Sequence, residues 1–379
     1  MEPVKFGVIG AGLAWSFHSA GCAESPVIKF VSVYDINEEQ ASKVARRYRV
    51  NEMRAYSDLQ EFLHSEIDAV LVMIPHAYHE SIVVQCAGAG KHVLCEKPMA
   101  TTLEGCDVMI RATRDAGVKF MVAENHRFLP AHQYVHDAIQ DGLVGDLLLV
   151  RAFEGVNEIP ALSQPDSWKG DPIKAGGGAF MDMGAHKFAT LEWILEAEVE
   201  SVTAMLSKQV AIFTEKAEDN ALAMVRFANG AVGEIVVSFT QVAPPFNSLE
   251  IYGTEGTILE NHMWEKPVRI HSHHEAMAEH KHQWFEPDIE HAPFPGYYAI
   301  SAKHMDEYFA RCILEDREPE FTPEQAKSAI AGVLMGYLSA RTGRAATRGD
   351  LMEVAASKGT RGLLENLTEY IPTNENLRR

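Results

Sequence analysis

Short, continuously apolar runs alternate with amphipathic stretches through the first third of the chain. Residues 4–9, 28–34, 69–74, 93–95 and 119–123 read as strands buried on both faces. Helices are expected over residues 13–23, 38–48, from Leu59, up to Ala89 and over 103–116, with Gly90 and Gly117 placed to end two of them. Regular strand–helix alternation of this kind predicts a doubly wound parallel sheet. The rhythm changes near Arg127. A helix is expected over 131–140, then longer strands over 147–153, 200–206, 221–227, 231–239 and 248–252, with Asn229-Gly230 as a hairpin signal. The fold class is therefore α/β: a parallel, doubly wound N-terminal sheet, then an α/β domain with a large, mostly antiparallel open sheet. The expected domains are 1–125, for a dinucleotide, and 126–379, for substrate and oligomerisation. One face of the second sheet is expected to be covered and the other to pair with another subunit.

Composition narrows the function classes. The chain has 379 residues, 46% hydrophobic and 23% charged, with a formal net charge of -19. An acidic chain of this kind is a poor ligand for nucleic acid, whose phosphates call for a basic surface. The five cysteines, with no C-x-x-C pair, fit a reducing compartment. No apolar run approaches a membrane span, and the first strand begins too early for a signal peptide. A cytoplasmic protein is expected.

The chemistry begins where the first strand ends. Gly10-Ala11-Gly12 follows the strand and opens a helix. In that context Gly10 permits a tight turn, and Gly12 lets the backbone approach a pyrophosphate at a helix N-terminus. Trp15 stands where the usual third glycine would be. Asp35, at the end of the second strand, is placed to accept from the ribose hydroxyls of NAD and to repel the 2′-phosphate of NADP. Alternatively, it caps the following helix. Ile36 and Asn37 follow it rather than a basic residue, which favours NAD.

Two further stretches carry titratable groups. Glu96-Lys97-Pro98 ends a short buried strand, which puts Lys97 at the rim where open α/β sheets bind ligands. Asp182 and His186 stand four positions apart after Gly176-Gly177-Gly178, on one face of an expected helix. A carboxylate beside an imidazole orients it for general-base work; the glycines read as a flexible approach. An exposed helix pair, or Asp182 as a plain cap, is the alternative.

In this order the residues resemble the Gfo/Idh/MocA oxidoreductases over roughly residues 4–345. The resemblance rests on Gly10-Ala11-Gly12, Asp35, Ile74-Pro75 with His79, Glu96-Lys97-Pro98 and Asn125 with Arg127. It continues through Trp168, the triple glycine, Asp182-Met183-Gly184-Ala185-His186 and Tyr252-Gly253-Thr254-Glu255-Gly256. It implies a Rossmann domain that binds NAD through Gly10, Gly12, Leu13, Asp35, Ile74, Pro75, His79, Glu96, Lys97 and Asn125. It also implies catalysis by Lys97, Asp182 and His186 on a sugar, a cyclitol or a derivative of one. Arg127, His126 and Trp168 are further candidates for substrate contact, against an interdomain salt bridge for Arg127 and a core position for Trp168. Ala189 stands where the family often has an aspartate, which loosens inference of the substrate.

The expected reaction is hydride transfer between a nicotinamide and a secondary hydroxyl or ketone. A redox-neutral enzyme that recycles tightly bound NAD, and a non-catalytic dinucleotide sensor, are the alternatives. Six histidines between His271 and His291 match no metal motif and read as an exposed insertion. No metal site is expected.

Overall fold

The computed structural model describes residues 2–48, 52–164, 167–213, 215–243 and 245–374. The chain forms two compact units. The first comprises Met1–Ala100, Gly105–Phe128 and Tyr298–Lys327; the second comprises Thr101–Glu104, Leu129–Tyr297 and Ser328–Arg379. The expected boundary after residue 125 took no account of the return of 298–327 to the first unit.

Six strands form the first unit's sheet: β1 (Val4–Ile9), β2 (Ile28–Tyr34), β3 (Arg54–Tyr56), β4 (Ala69–Val72), β5 (His92–Glu96) and β6 (Phe120–Ala123). Their order is β3-β2-β1-β4-β5-β6, and every pairing is parallel. The order reverses at β1, so the carboxyl ends of β1 and β4 flank the switch point where such sheets take ligands. β4 and β6 are buried at every residue, which is why they read as unbroken apolar runs. Residues of the helix Gly296–Leu314 complete the packing: Phe309 meets Phe6 edge-on at 6.3 Å, and Tyr298 stacks on Phe17 at 4.7 Å.

The second unit is built on eight strands: β7 (Leu147–Gly155), β8 (Val199–Ser207), β9 (Asn220–Phe227), β10 (Val232–Ser238), β11 (Phe246–Gly253), β12 (Gly256–Asn261), β13 (Val268–Ser272) and β14 (Ala346–Thr347). Their order is β13-β12-β11-β7-β10-β9-β8-β14. Only β7 and β10 run parallel; the other pairs are antiparallel. Alternation is clean on β9, where Ala221, Ala223, Val225 and Phe227 are buried while Leu222, Met224 and Arg226 are exposed. On the exposed face Met205 lies opposite Leu222, and Arg151 pairs with Glu234 at 2.7 Å and Glu250 at 3.0 Å. The other face is buried against helices. There Phe180 meets Phe188 and Tyr337 edge-on, at 5.8 and 6.0 Å.

Candidate cofactor and catalytic sites

The glycine turn of the first unit is held from two sides. Gly10 has φ +91°, and a Cβ there would fall 2.2 Å from the Met73 carbonyl oxygen, so only glycine fits. At Gly12 an added Cβ would meet no atom within 4 Å. The protein's own packing therefore does not select glycine at this point, as expected where the backbone leaves room for a pyrophosphate. Asp35 braces the turn: its Oδ2 accepts from the Ala11 N–H at 2.9 Å and its Oδ1 from the Asn37 N–H at 2.8 Å. The cap of the helix Glu38–Arg47 is Asn37, not Asp35. Leu13 and Ile36 are 80% and 89% exposed, apolar surfaces beside the turn. Trp15 is buried and packs edge-on against Phe30 at 4.9 Å and Tyr48 at 5.3 Å. The ring in the third-glycine position thus fills the core under the helix.

The loops after β4 and β5 are joined through His79. Its ring is fully buried; Nδ1 lies 2.9 Å from the Pro98 carbonyl oxygen and Nε2 3.0 Å from that of Ile74. Burial lowers its pKa against the opposing pull of these carbonyls, and a neutral ring donates its single N–H to one of the two. His79 therefore acts by holding the loops that present the half-buried Ile74, Pro75 and Lys97. The Lys97-Pro98 peptide is cis.

Glu96 is fixed on both oxygens. Oε2 accepts from the Lys97 N–H at 3.1 Å, and Oε1 lies 3.2 Å from Nε2 of His18. The opposite ring nitrogen of His18 is 2.7 Å from Asp306 Oδ2. Burial alone would lower the His18 pKa, but the two carboxylates reverse this and hold it up to about 10, so the ring is an imidazolium between two anions. Nothing local in the sequence marked His18, because Asp306 arrives from the returning segment.

The remaining candidates of the first unit lie just past β6. Asn125 Nδ2 donates to Ser301 Oγ at 3.0 Å, and the guanidinium of Arg127 covers the Phe321 ring at 5.1 Å. His126 is buried.

In the second unit the triple glycine is buried and tightly packed, not flexible. A Cβ at Gly178 would fall 1.8 Å from the Glu218 carbonyl oxygen. The fully buried Glu218 carboxylate accepts from the N–H groups of Gly178 and Phe180, each at 2.9 Å, and from the Tyr337 hydroxyl at 2.7 Å. The chain then makes a π-helical turn, Phe180–Gly184, before the α-helix Ala185–Ile194. Such wide turns recur at functional sites. Asp182 lies in the π turn and His186 in the first turn of the helix, with 6% and 7% of their surfaces exposed.

The main addition here is Lys169, next to the half-buried Trp168. Its Nζ lies 3.1 Å from Asp182 Oδ2 and 2.8 Å from Glu158 Oε1, and 5.5 Å from the centre of the Phe239 ring. Burial opposes the charge, but Asp182 and Glu158 outweigh it and raise the Lys169 pKa. Asp182 is thereby held beside a permanent cation.

A doubly wound sheet with a glycine turn and a carboxylate at the end of β2 is the arrangement of a dinucleotide-binding protein, and the lysine, aspartate and histidine add groups suited to proton handling. The description "Oxidoreductase family, NAD-binding Rossmann fold" matches residues 4–124, and "GFO/IDH/MocA C-terminal domain" matches residues 132–259. The chain belongs to the GFO/IDH/MocA oxidoreductase family. It is 30% identical to 1,5-anhydro-D-fructose reductase of Ensifer adhaerens, over 70% of this chain and 78% of that protein. It is also 30% identical to myo-inositol 2-dehydrogenase of Thermotoga maritima, over 70% and 77%. A structure of levoglucosan dehydrogenase with NADH and levoglucosan has the same fold, with a TM-score of 0.81 at 24% identity over 91% of this chain and 99% of that one.

Proposed function

We propose that the protein is an NAD-dependent dehydrogenase acting on a secondary hydroxyl, or the matching ketone, of a sugar, inositol or glycoside. The observation that carries this reading is that one chain holds both sets of groups. One is a lysine at the end of β5, beside a carboxylate locked by His18; the other is a buried Asp182–His186 turn held by Lys169. Gly10, Gly12, Leu13, Asp35, Ile74, Pro75 and Asn125 are assigned to the cofactor. Asp35, followed by Ile36 and Asn37, supports NAD over NADP. The names of the relatives support a carbohydrate or cyclitol substrate.

The nicotinamide, when bound, supplies the carbon that accepts or returns the hydride. Lys97 donates a hydrogen bond to the reacting oxygen and stabilises the negative charge that develops there. His186 takes the hydroxyl proton in oxidation and returns it in reduction. Asp182 orients the imidazole, and Lys169 holds Asp182 in place.

The protein is further proposed to be a cytoplasmic homo-oligomer, with no nucleic-acid or membrane partner. No helix of the described residues is long and apolar enough to cross a membrane. The exposed sheet face carries Met205, Leu222 and Met224, 68%, 51% and 66% exposed, an apolar row suited to a second copy.

A screen of NAD and NADP reduction over inositols, free hexoses and glycosides tests the reading. Turnover with NAD on at least one of these, and a loss of about 10²–10⁴-fold in kcat for Lys97→Ala, is expected. NADP preference would overturn the role of Asp35, and unchanged turnover in Lys97→Ala would overturn that of Lys97. Cofactor that stays bound through dialysis, with no net NADH released, would favour the redox-neutral alternative.

A further inference from the structure

One cluster of metal-type donors stands within the second unit, apart from the groups assigned above. His132 comes from the helix Pro130–Gln140, Glu260 from β12, and His262 follows two positions later. That spacing gives Glu260 and His262 a common face of the extended chain. The three are 0%, 1% and 2% exposed. Glu260 Oε2 lies 3.4 Å from His132 Nε2, and Glu260 Oε1 lies 2.5 Å from His262 Nδ1. The imidazole rings are 4.9 Å apart at 69°, converging rather than stacked.

Two features distinguish this cluster from an ordinary core pair. First, among the described residues neither Glu260 oxygen has a hydrogen-bond partner of acceptable alignment, although both are fully buried. A buried carboxylate in that condition costs stability. Second, the charges do not balance without a further cation or proton. The neighbouring Lys187 ammonium, itself fully buried, is matched by Glu154 at 3.3 Å and is held by the Asn247 side chain. Glu260 is left to be matched by its two imidazoles.

We propose that His132, Glu260 and His262 bind one divalent transition ion of the zinc type. Two imidazoles and a carboxylate are an established donor set for zinc. In a tetrahedral site with bonds of about 2.0–2.2 Å, adjacent donors stand about 3.3–3.5 Å apart. The His132–Glu260 spacing already meets this, and His262 must withdraw by about 1 Å to do so. The ion ties the helix Pro130–Gln140 to the end of β12. Through the His262 N–H, which donates to the Asn247 carbonyl at 3.3 Å, and the Asn247–Lys187 bond, it also steadies the helix that carries His186. The role is structural, and the inference does not depend on the substrate.

The test uses full-length protein without a histidine tag. Elemental analysis of the purified enzyme is expected to find one zinc per chain. The chelator-stripped protein is expected to take up one cobalt(II) with the visible absorption of a four-coordinate site and to melt at a higher temperature when zinc is restored. Glu260→Gln and His132→Asn, checked for fold by circular dichroism, are expected to weaken metal binding at least 100-fold. A control variant, His273→Asn with His282→Asn, addresses the exposed histidine-rich stretch and is expected to leave binding unchanged. Binding lost in the control and kept in Glu260→Gln would overturn the proposal. So would metal-free wild-type protein with no cobalt absorption and no melting shift, which would leave a protonated imidazole as the counter-charge. Should both cluster variants fail to fold, the wild-type metal content and cobalt spectrum decide.

Discussion

At the residue scale, the titratable groups around the candidate sites are set by partners rather than by their own identity. His18 is raised from 6.5 to about 10 by Asp306 and Glu96 against the opposing effect of burial. A group with a raised folded-state pKa stabilises fully below its unfolded pKa and loses that contribution as pH climbs through its folded one. The melting temperature should therefore fall as pH rises from about 6.5 to about 10. His18→Gln should be less stable at pH 6 and should flatten that slope; a variant with the wild-type slope would remove His18 as its source. Lys169 presents a different case, since its loss leaves Asp182 and Glu158 without the cation between them. Lys169→Met should lower kcat by about 10–100-fold and move the acid limb of the rate profile upward, with partial recovery in Lys169→Arg. Equal kcat and pH profile in Met and wild type would confine Lys169 to packing.

At the element scale, legibility in the sequence followed burial pattern and range. β4 and β6 read correctly because their side chains are apolar on both faces, and the tight turn at Gly10 because a strand, a turn and a helix lie contiguously around it. The helices Gly296–Leu314 and Pro323–Thr342 escaped notice because they bury several sides and so lack a single apolar stripe. The triple glycine was read as flexible, since composition alone does not reveal that a carbonyl oxygen would lie 1.8 Å from a Gly178 Cβ. Glu218, which clamps that turn, is equally silent in sequence, standing far from Gly178 along the chain. Glu218→Ala would leave two backbone N–H groups and the Tyr337 hydroxyl without their acceptor. A loss of about 3 kcal/mol or more is expected in denaturant unfolding, together with a fall in kcat. A change under about 1 kcal/mol would mean that other groups take over the acceptor's place.

At the scale of the whole molecule, the open face of the second sheet sets a prediction of its own. Met224 is 66% exposed on β9, and Met205 and Leu222 beside it are exposed as well. Met224→Glu should shift the mass measured by light scattering toward the monomer while leaving the melting transition of the separated chain cooperative. An unchanged mass would move the subunit contact off this face.

The return of Tyr298–Lys327 to the first unit has a consequence for how the chain is made. The six strands of the parallel sheet are all synthesised by Ala123, yet Phe309, which packs on Phe6, and Asp306, which holds His18, come much later. The nucleotide-binding unit therefore cannot close as it leaves the ribosome. It waits, with an apolar face and a buried-type histidine uncovered, until strands β7 to β13 of the second sheet have been threaded through. Gene fragments cut after the last parallel strand will lack a wall of the very fold they were cut to contain.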